Sequence, residues 1–149
     1  MSINILVLCT GNSARSVLAE CLINRLGEGR FRAFSAGSHP TGRVNPLSLE
    51  VLAENGFDVS GLRSKSWDEF ATAEAPVMDL VITVCDNAAG EICPIWPGHP
   101  SKLHVGFADP AAAEGSHETR LAAFRDAYAQ IEAKMRRLIA LYPDRLAEI

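Results

Sequence analysis

In the run Cys9-Thr10-Gly11-Asn12-Ser13-Ala14-Arg15, a cysteine and an arginine stand six positions apart with a glycine between them. Those residue types suit a tetrahedral oxyanion. Successive backbone N–H groups in a tight turn at a helix N-terminus form a concave nest with partial positive charge. Thr10, Gly11, Asn12, Ser13, Ala14, Arg15 and Ser16 would line it. Gly11 lets the backbone approach the anion closely, and the Arg15 guanidinium can fork two N–H bonds onto two oxygens. The same field would hold Cys9 as a thiolate, with a lowered pKa, and make it a nucleophile at neutral pH. A hydroxyl bond from Ser16 to that sulfur would help. A nucleotide phosphate loop is excluded, because no Gly-Lys-Ser/Thr follows at the interval it needs. The plainer alternative is a structural cysteine; the position between a buried strand and a helix start favours the nucleophile.

Cys85 closes a second apolar run, and Cys93 follows eight positions later across the short, small-residue stretch Asp86 to Ile92. Thiols so placed can exchange with each other and with a third through mixed disulfides. Cys85 as plain core is one competing account. Zinc held by Cys85, Cys93, His99 and His104 is another, but their spacings match no common structural site, so no metal is expected. Cys21 reads as core. Asp109, followed by Pro110, is either simple turn chemistry or a proton donor.

The elements that must position these residues alternate. Ile3 to Leu8 is an apolar run broken only by Asn4, as in a strand buried on both faces. After the loop Thr10 to Ser13 the period changes: from Ala14 to about Leu26, Val17, Leu18, Cys21, Leu22, Arg25 and Leu26 share a helical face, and Gly27 and Gly29 stop it. A short strand from Phe31 to Ser35 ends at Ala36-Gly37. Asn45 is a candidate N-cap with Pro46 in the first turn of a helix carrying Leu47, Val51 and Leu52, and Gly56 stops it. Asp79 to Val84 is a second buried strand, and Leu103 to Val105 a weaker one. Ser116 caps a long helix with Leu121, Phe124, Tyr128, Ile131, Met135, Leu138 and Tyr142 at three- and four-residue steps. The expected fold is therefore α/β: a small doubly wound, four-stranded parallel sheet with helices on both faces, as one domain over residues 1–149. Ligands in such folds bind beyond the carboxyl ends of the strands. The loops there hold Cys9, Cys85 and Asp109.

Composition narrows the setting. Of 149 residues, 48% are hydrophobic and 21% charged, which suits a single globular core. A net charge of -4 without a basic run argues against nucleic acid and anionic membrane as partners. There is no long apolar stretch for a membrane span, and no basic residue before Arg15 that would mark a signal peptide. Four cysteines are too few for a secreted disulfide scaffold, so a cytoplasmic setting is expected.

Leu8-Cys9-Thr10-Gly11-Asn12-Ser13-Ala14-Arg15-Ser16 resembles the signature of the low-molecular-weight tyrosine phosphatase superfamily, specifically its arsenate reductase branch. The likeness extends over the whole chain through Ser35-Ala36-Gly37, Val44-Asn45-Pro46, Val84-Cys85, Cys93-Pro94 and Asp109-Pro110. Phosphatases of this superfamily usually carry a second cysteine where Ala14 stands, a proline where Val17 stands, and Asp-Pro-Tyr where Asp109-Pro110-Ala111 stands. Each departure points away from phosphotyrosine.

The resemblance implies a sequence of steps. Cys9 forms a thiol–arsenate adduct, Cys85 attacks it and expels arsenite, and Cys93 moves the disulfide to Cys85–Cys93. It also implies that Asp109 is the general acid and that Asn12 and Ser35 hold the loop by hydrogen bonds. Some members bind potassium near there; Lys65 is either a substitute positive charge or a solvated surface lysine. No tightly bound cofactor is implied. The two cysteines stand one residue closer in thioredoxin-linked reductases, so thioredoxin and glutathione with glutaredoxin, or a similar thiol, are both open as reductant. The partners are then arsenate or phosphate and that thiol system, with the protein a monomer. Two other functions stand beside arsenate reduction. One is a phosphatase using Cys9, Arg15 and Asp109; the other is a non-catalytic oxyanion-binding or redox-regulated interaction protein.

Overall fold

β1 (Ile3–Leu8) is fully buried from Ile5 to Leu8, with Ile5 and Val7 on one face and Leu6 and Leu8 on the other. A strand so apolar on both sides belongs inside a parallel sheet. The computed structural model describes residues 2–85, 96 and 98–142. In chain order, α1 (Arg15–Gly27), β2 (Phe31–Ala36), α2 (Pro46–Glu54), β3 (Leu80–Thr83), β4 (Ser101–His104) and α3 (His117–Leu141) follow β1. The strand order is β2-β1-β3-β4, and every pairing is parallel.

The chain leaves β1 for β2 on one side and returns to β3 on the other, so the winding reverses between β1 and β3. That reversal opens a crevice at the carboxyl ends of the two strands. Leu8 pairs with Thr83 there, and Val84 N–H donates to Leu8 O at 3.0 Å. Cys9 and Cys85 come next in each chain segment. The crevice therefore lies between two cysteines.

One face of the sheet carries the main core, packed against α1, α2 and α3. α3 contributes the stripe Leu121, Phe124, Ala127, Tyr128, Ile131, Met135 and Leu138. Full burial of a Phe124- or Ile131-sized side chain stabilises by about 2 kcal/mol relative to exposure. The other face carries Leu6, Leu8, Ala36 and Val81 under Met78, Phe70 of the 3₁₀ turn Trp67–Phe70, and Trp96. No helix among the described residues is long and apolar enough to cross a membrane.

Several element ends differ from the sequence reading. β3 begins at Leu80 because the Asp79 carboxylate accepts the Asn4 N–H at 2.8 Å and sits at the sheet margin. β4 runs from Ser101 to His104, starting two residues and ending one residue before its apolar pattern, because pairing with β3 and not burial defines this edge strand. α1 ends with Gly27, and Glu28 takes the left-handed conformation. A Cβ on Gly27 would lie 2.8 Å from that of Phe31, so this glycine lets α1 close onto β2. Arg25, placed on the apolar face by periodicity, is exposed and covers the Phe57 ring at 3.4 Å. Cys21 is half-buried against the core.

Candidate active site

The Cys9–Arg15 loop is built by turning its carbonyls outward. Thr10 O accepts His39 N–H at 2.9 Å, and Gly11 O accepts Thr41 N–H and the Ser64 hydroxyl, both at 3.0 Å. Ser13 O accepts Asn45 N–H and the Ser48 hydroxyl, also both at 3.0 Å. A trans peptide is planar, so fastening a carbonyl on one side commits the adjoining N–H to the other. Ala14, the N-cap of α1, provides no side-chain cap, leaving first-turn N–H groups for a ligand.

Asn12 is the turning point. It is fully buried with φ +46°, a left-handed conformation that asparagine tolerates better than most residues. Its amide donates to Ser16 Oγ at 2.9 Å, and its carbonyl oxygen accepts Lys65 N–H at 2.9 Å. Ser16 Oγ thus accepts from the Asn12 amide. Beneath the loop, Gly37 is essential for close approach: a Cβ there would stand 2.4 Å from Thr10 O and 2.7 Å from Cys9 O.

Cys9 and Cys85 are both buried and hydrogen-bonded to each other. Thr10 N–H also donates to Cys85 Sγ at 3.4 Å. The Cys9 thiol is pushed above its ordinary value, chiefly by that bond to Cys85 and then by burial; Arg15 and Gly11 N–H pull the other way and are outweighed. This corrects the expectation of a lowered pKa. Arg15 itself is held by Phe107 and faces Asp109: Nη1 donates to Phe107 O at 3.0 Å and Nη2 lies 3.8 Å from Asp109 Oδ2.

Asp109 serves the turn and also faces Arg15. Oδ1 caps the 3₁₀ turn Pro110–Ala112 by accepting Ala111 N–H at 2.9 Å, while Oδ2 faces Arg15. Ser35 differs from expectation: its hydroxyl donates to Glu20. Lys65 is not a solvated lysine. Its side chain is 10% exposed, and Nζ lies 3.2 Å from Arg63 O and 3.9 Å from Glu20 Oε1. Burial lowers the Lys65 pKa and raises that of Glu20. Cys93 lies outside the described residues.

Sequence reasoning missed Glu20, Gly37's contact, Ser48, Ser64 and the Phe107 carbonyl. Glu20 had one usable signal: it stands four residues after Ser16 on α1, on the turn directly above it.

The family model described as low molecular weight phosphotyrosine protein phosphatase matches residues 4–148. A protein of Halalkalibacterium halodurans named arsenate reductase is 40% identical over 118 residues, which is 79% of this chain and 81% of its own. A solved structure described as an arsenate reductase in the phosphate binding state is similar with TM-score 0.74 and 27% identity, over 93% of this chain and 97% of its own. A thioredoxin-dependent arsenate reductase of Corynebacterium glutamicum gives TM-score 0.67 at 25% identity, over 94% of this chain and 63% of its own.

Proposed function

Because the chain belongs to the low molecular weight phosphotyrosine protein phosphatase family, we propose that it works that family's loop as an arsenate reductase, converting arsenate to arsenite. The relatives' own activities lend support. The observation that carries the reading is the hydrogen-bonded thiol pair, Cys9 and Cys85, beyond the ends of adjacent strands. Hydrolysis needs one thiol. Reduction needs two electrons, and a second thiol beside the first supplies them.

The loop N–H groups and Arg15 hold the oxyanion. The Cys9 sulfur, once deprotonated, attacks arsenic; an As–O bond breaks, and the oxygen leaves as water with a proton from Asp109. Cys85 then attacks the Cys9 sulfur. An S–S bond forms, the S–As bond breaks, and its electron pair stays on arsenic, which departs as arsenite. Cys93 attacks Cys85 in turn and moves the disulfide to Cys85–Cys93. An external thiol reductant reopens it; thioredoxin is the first to test, given the Corynebacterium relative, and glutathione with glutaredoxin the second. Lys65 stands beside Glu20 as the cation of this region, in the place that the resemblance gave to potassium.

The test is arsenite production by the full chain with each donor in turn, for the wild type and Cys85→Ser. The expected result is arsenite from the wild type only, while both forms hydrolyse a small aryl phosphate through Cys9. Arsenite production at the wild-type rate by Cys85→Ser with every donor would overturn the relay.

A further inference from the structure

Ser48 is fully buried, lies on α2 outside the Cys9–Arg15 run, and has no part in the chemistry above. Its hydroxyl donates to Ser13 O at 3.0 Å, beside the Asn45 N–H at the same distance. Both lone pairs of that carbonyl are thereby used. Asn45 and Ser48 are the N-cap and the third residue of α2, so one helical turn supplies both donors. The turn is itself fixed: Asn45 Oδ1 accepts Leu47 N–H at 2.9 Å, Pro46 presets the first helical φ, and Leu47 is buried in the core.

From this geometry we infer that Ser48 is a positioning residue for oxyanion binding, fixing the Ser13–Ala14 peptide so that the Ala14 N–H faces the nest. The inference rests on the reading of the Cys9–Arg15 loop as the oxyanion site. The Ser13 carbonyl and the Ala14 N–H belong to one planar peptide and point in opposite directions. Ala14 carries no side-chain donor and its own N-cap position is bare, so the direction of its N–H is set by the carbonyl behind it. With Asn45 alone, that carbonyl keeps one bond and the peptide can rock. With Ser48 as well, two donors from a rigid turn define the plane. The Gly11 carbonyl is fastened in the same two-donor way by Thr41 N–H and the Ser64 hydroxyl.

The experiment compares wild type, Ser48→Ala and Ser48→Thr by arsenate kinetics, by calorimetric titration with inorganic phosphate, and by the Ala14 amide signal in the NMR spectrum during that titration. In Ser48→Ala, the KM for arsenate and the phosphate Kd rise together by about fivefold, the worth of one neutral hydrogen bond. The kcat changes by less than about twofold. The Ala14 amide moves less on saturation with phosphate than in the wild type, and Ser48→Thr, which keeps the hydroxyl, restores both readouts. Should Ser48→Ala not fold, Ser48→Cys replaces it, keeping the volume and weakening the donor. An unchanged Kd and an unchanged Ala14 response in a folded variant would overturn the inference alone. Failure of the wild type to bind phosphate would overturn the oxyanion site and the inference with it.

Discussion

The two loops that meet at the crevice are held in opposite ways. The Cys9–Arg15 loop is fastened from four segments: Gly37 to Thr41, Asn45 with Ser48, Ser64 with Lys65, and Cys85. Among the described residues, the loop from Gly106 to Ala113 has fewer ties. Phe107 N–H donates to Val84 O at 3.1 Å, Phe107 O accepts from Arg15, and Asp109 caps its own turn. Cavities of about 180 Å³ and 340 Å³ flank it, and Gln130 of α3 borders both. A nest must keep several N–H groups convergent to stabilise an anion, so it is pinned. An acid has to reach one oxygen and then change its protonation state, and it can do so from a looser, half-exposed loop.

The largest effect should come from breaking the pinned loop at its base. Gly37→Ala puts a methyl group against the backbone oxygens of Thr10 and Cys9, and backbone cannot step aside as a side chain would. Gly37 also bridges the loop to the neighbouring segment, with its N–H on Lys65 O and its O accepting Trp67 N–H. A displacement of this kind costs on the order of a hundredfold in rate. The expected outcome is loss of measurable phosphate binding together with a fall in arsenate turnover of at least about that size. Binding and turnover at wild-type levels would show that the loop does not depend on this contact.

Asp109→Asn tests the looser partner and should act on one step only. Adduct formation slows by about a hundredfold, while disulfide exchange between Cys9 and Cys85 keeps its rate because no oxygen leaves in it. Single-turnover kinetics separate the two. Asparagine can still accept the Ala111 N–H, so the 3₁₀ turn persists and a melting curve close to wild type is expected.

Much of this arrangement was legible in the sequence, and the parts that were not share a cause. β1, α2 and α3 announce themselves through an apolar run broken only by Asn4, an Asn45-Pro46 start and a three-four apolar step, which are local patterns. Cys9, Arg15, Cys85 and Asp109 could be placed together because parallel topology brings strand ends to one edge. The ligand-side direction of Arg15 was not legible. It depends on a carbonyl, that of Phe107, and any residue type supplies one. Ser35 was placed at the loop by the family resemblance, whereas its hydroxyl finds Glu20 because burial leaves that carboxylate in need of donors. The Cys9 pKa was misjudged for the same reason: the Cys85 thiol is distant in sequence and adjacent in space.

The mildest perturbation is a side-chain truncation within the thiol pair. Cys85→Ala removes the largest influence raising the Cys9 pKa, while burial still raises it and Arg15 and Gly11 N–H still lower it. The sign follows directly. A hydrogen bond that favours the protonated thiol is lost, so the Cys9 pKa falls and the thiolate fraction at neutral pH rises. Iodoacetamide alkylation of Cys9, followed by mass spectrometry across a pH series, should therefore reach its midpoint at a lower pH in Cys85→Ala than in the wild type. Cys21 serves as the internal control. Its thiol is pushed up to about 12 by burial and then by the Glu20 carboxylate, with no contribution from Cys85, so its profile should not move. A Cys9 midpoint that stays in place or rises would mean that the thiol pair does not set its proton affinity. The pinned loop would then act on Cys9 through burial alone, and the second thiol would matter only once the adduct has formed.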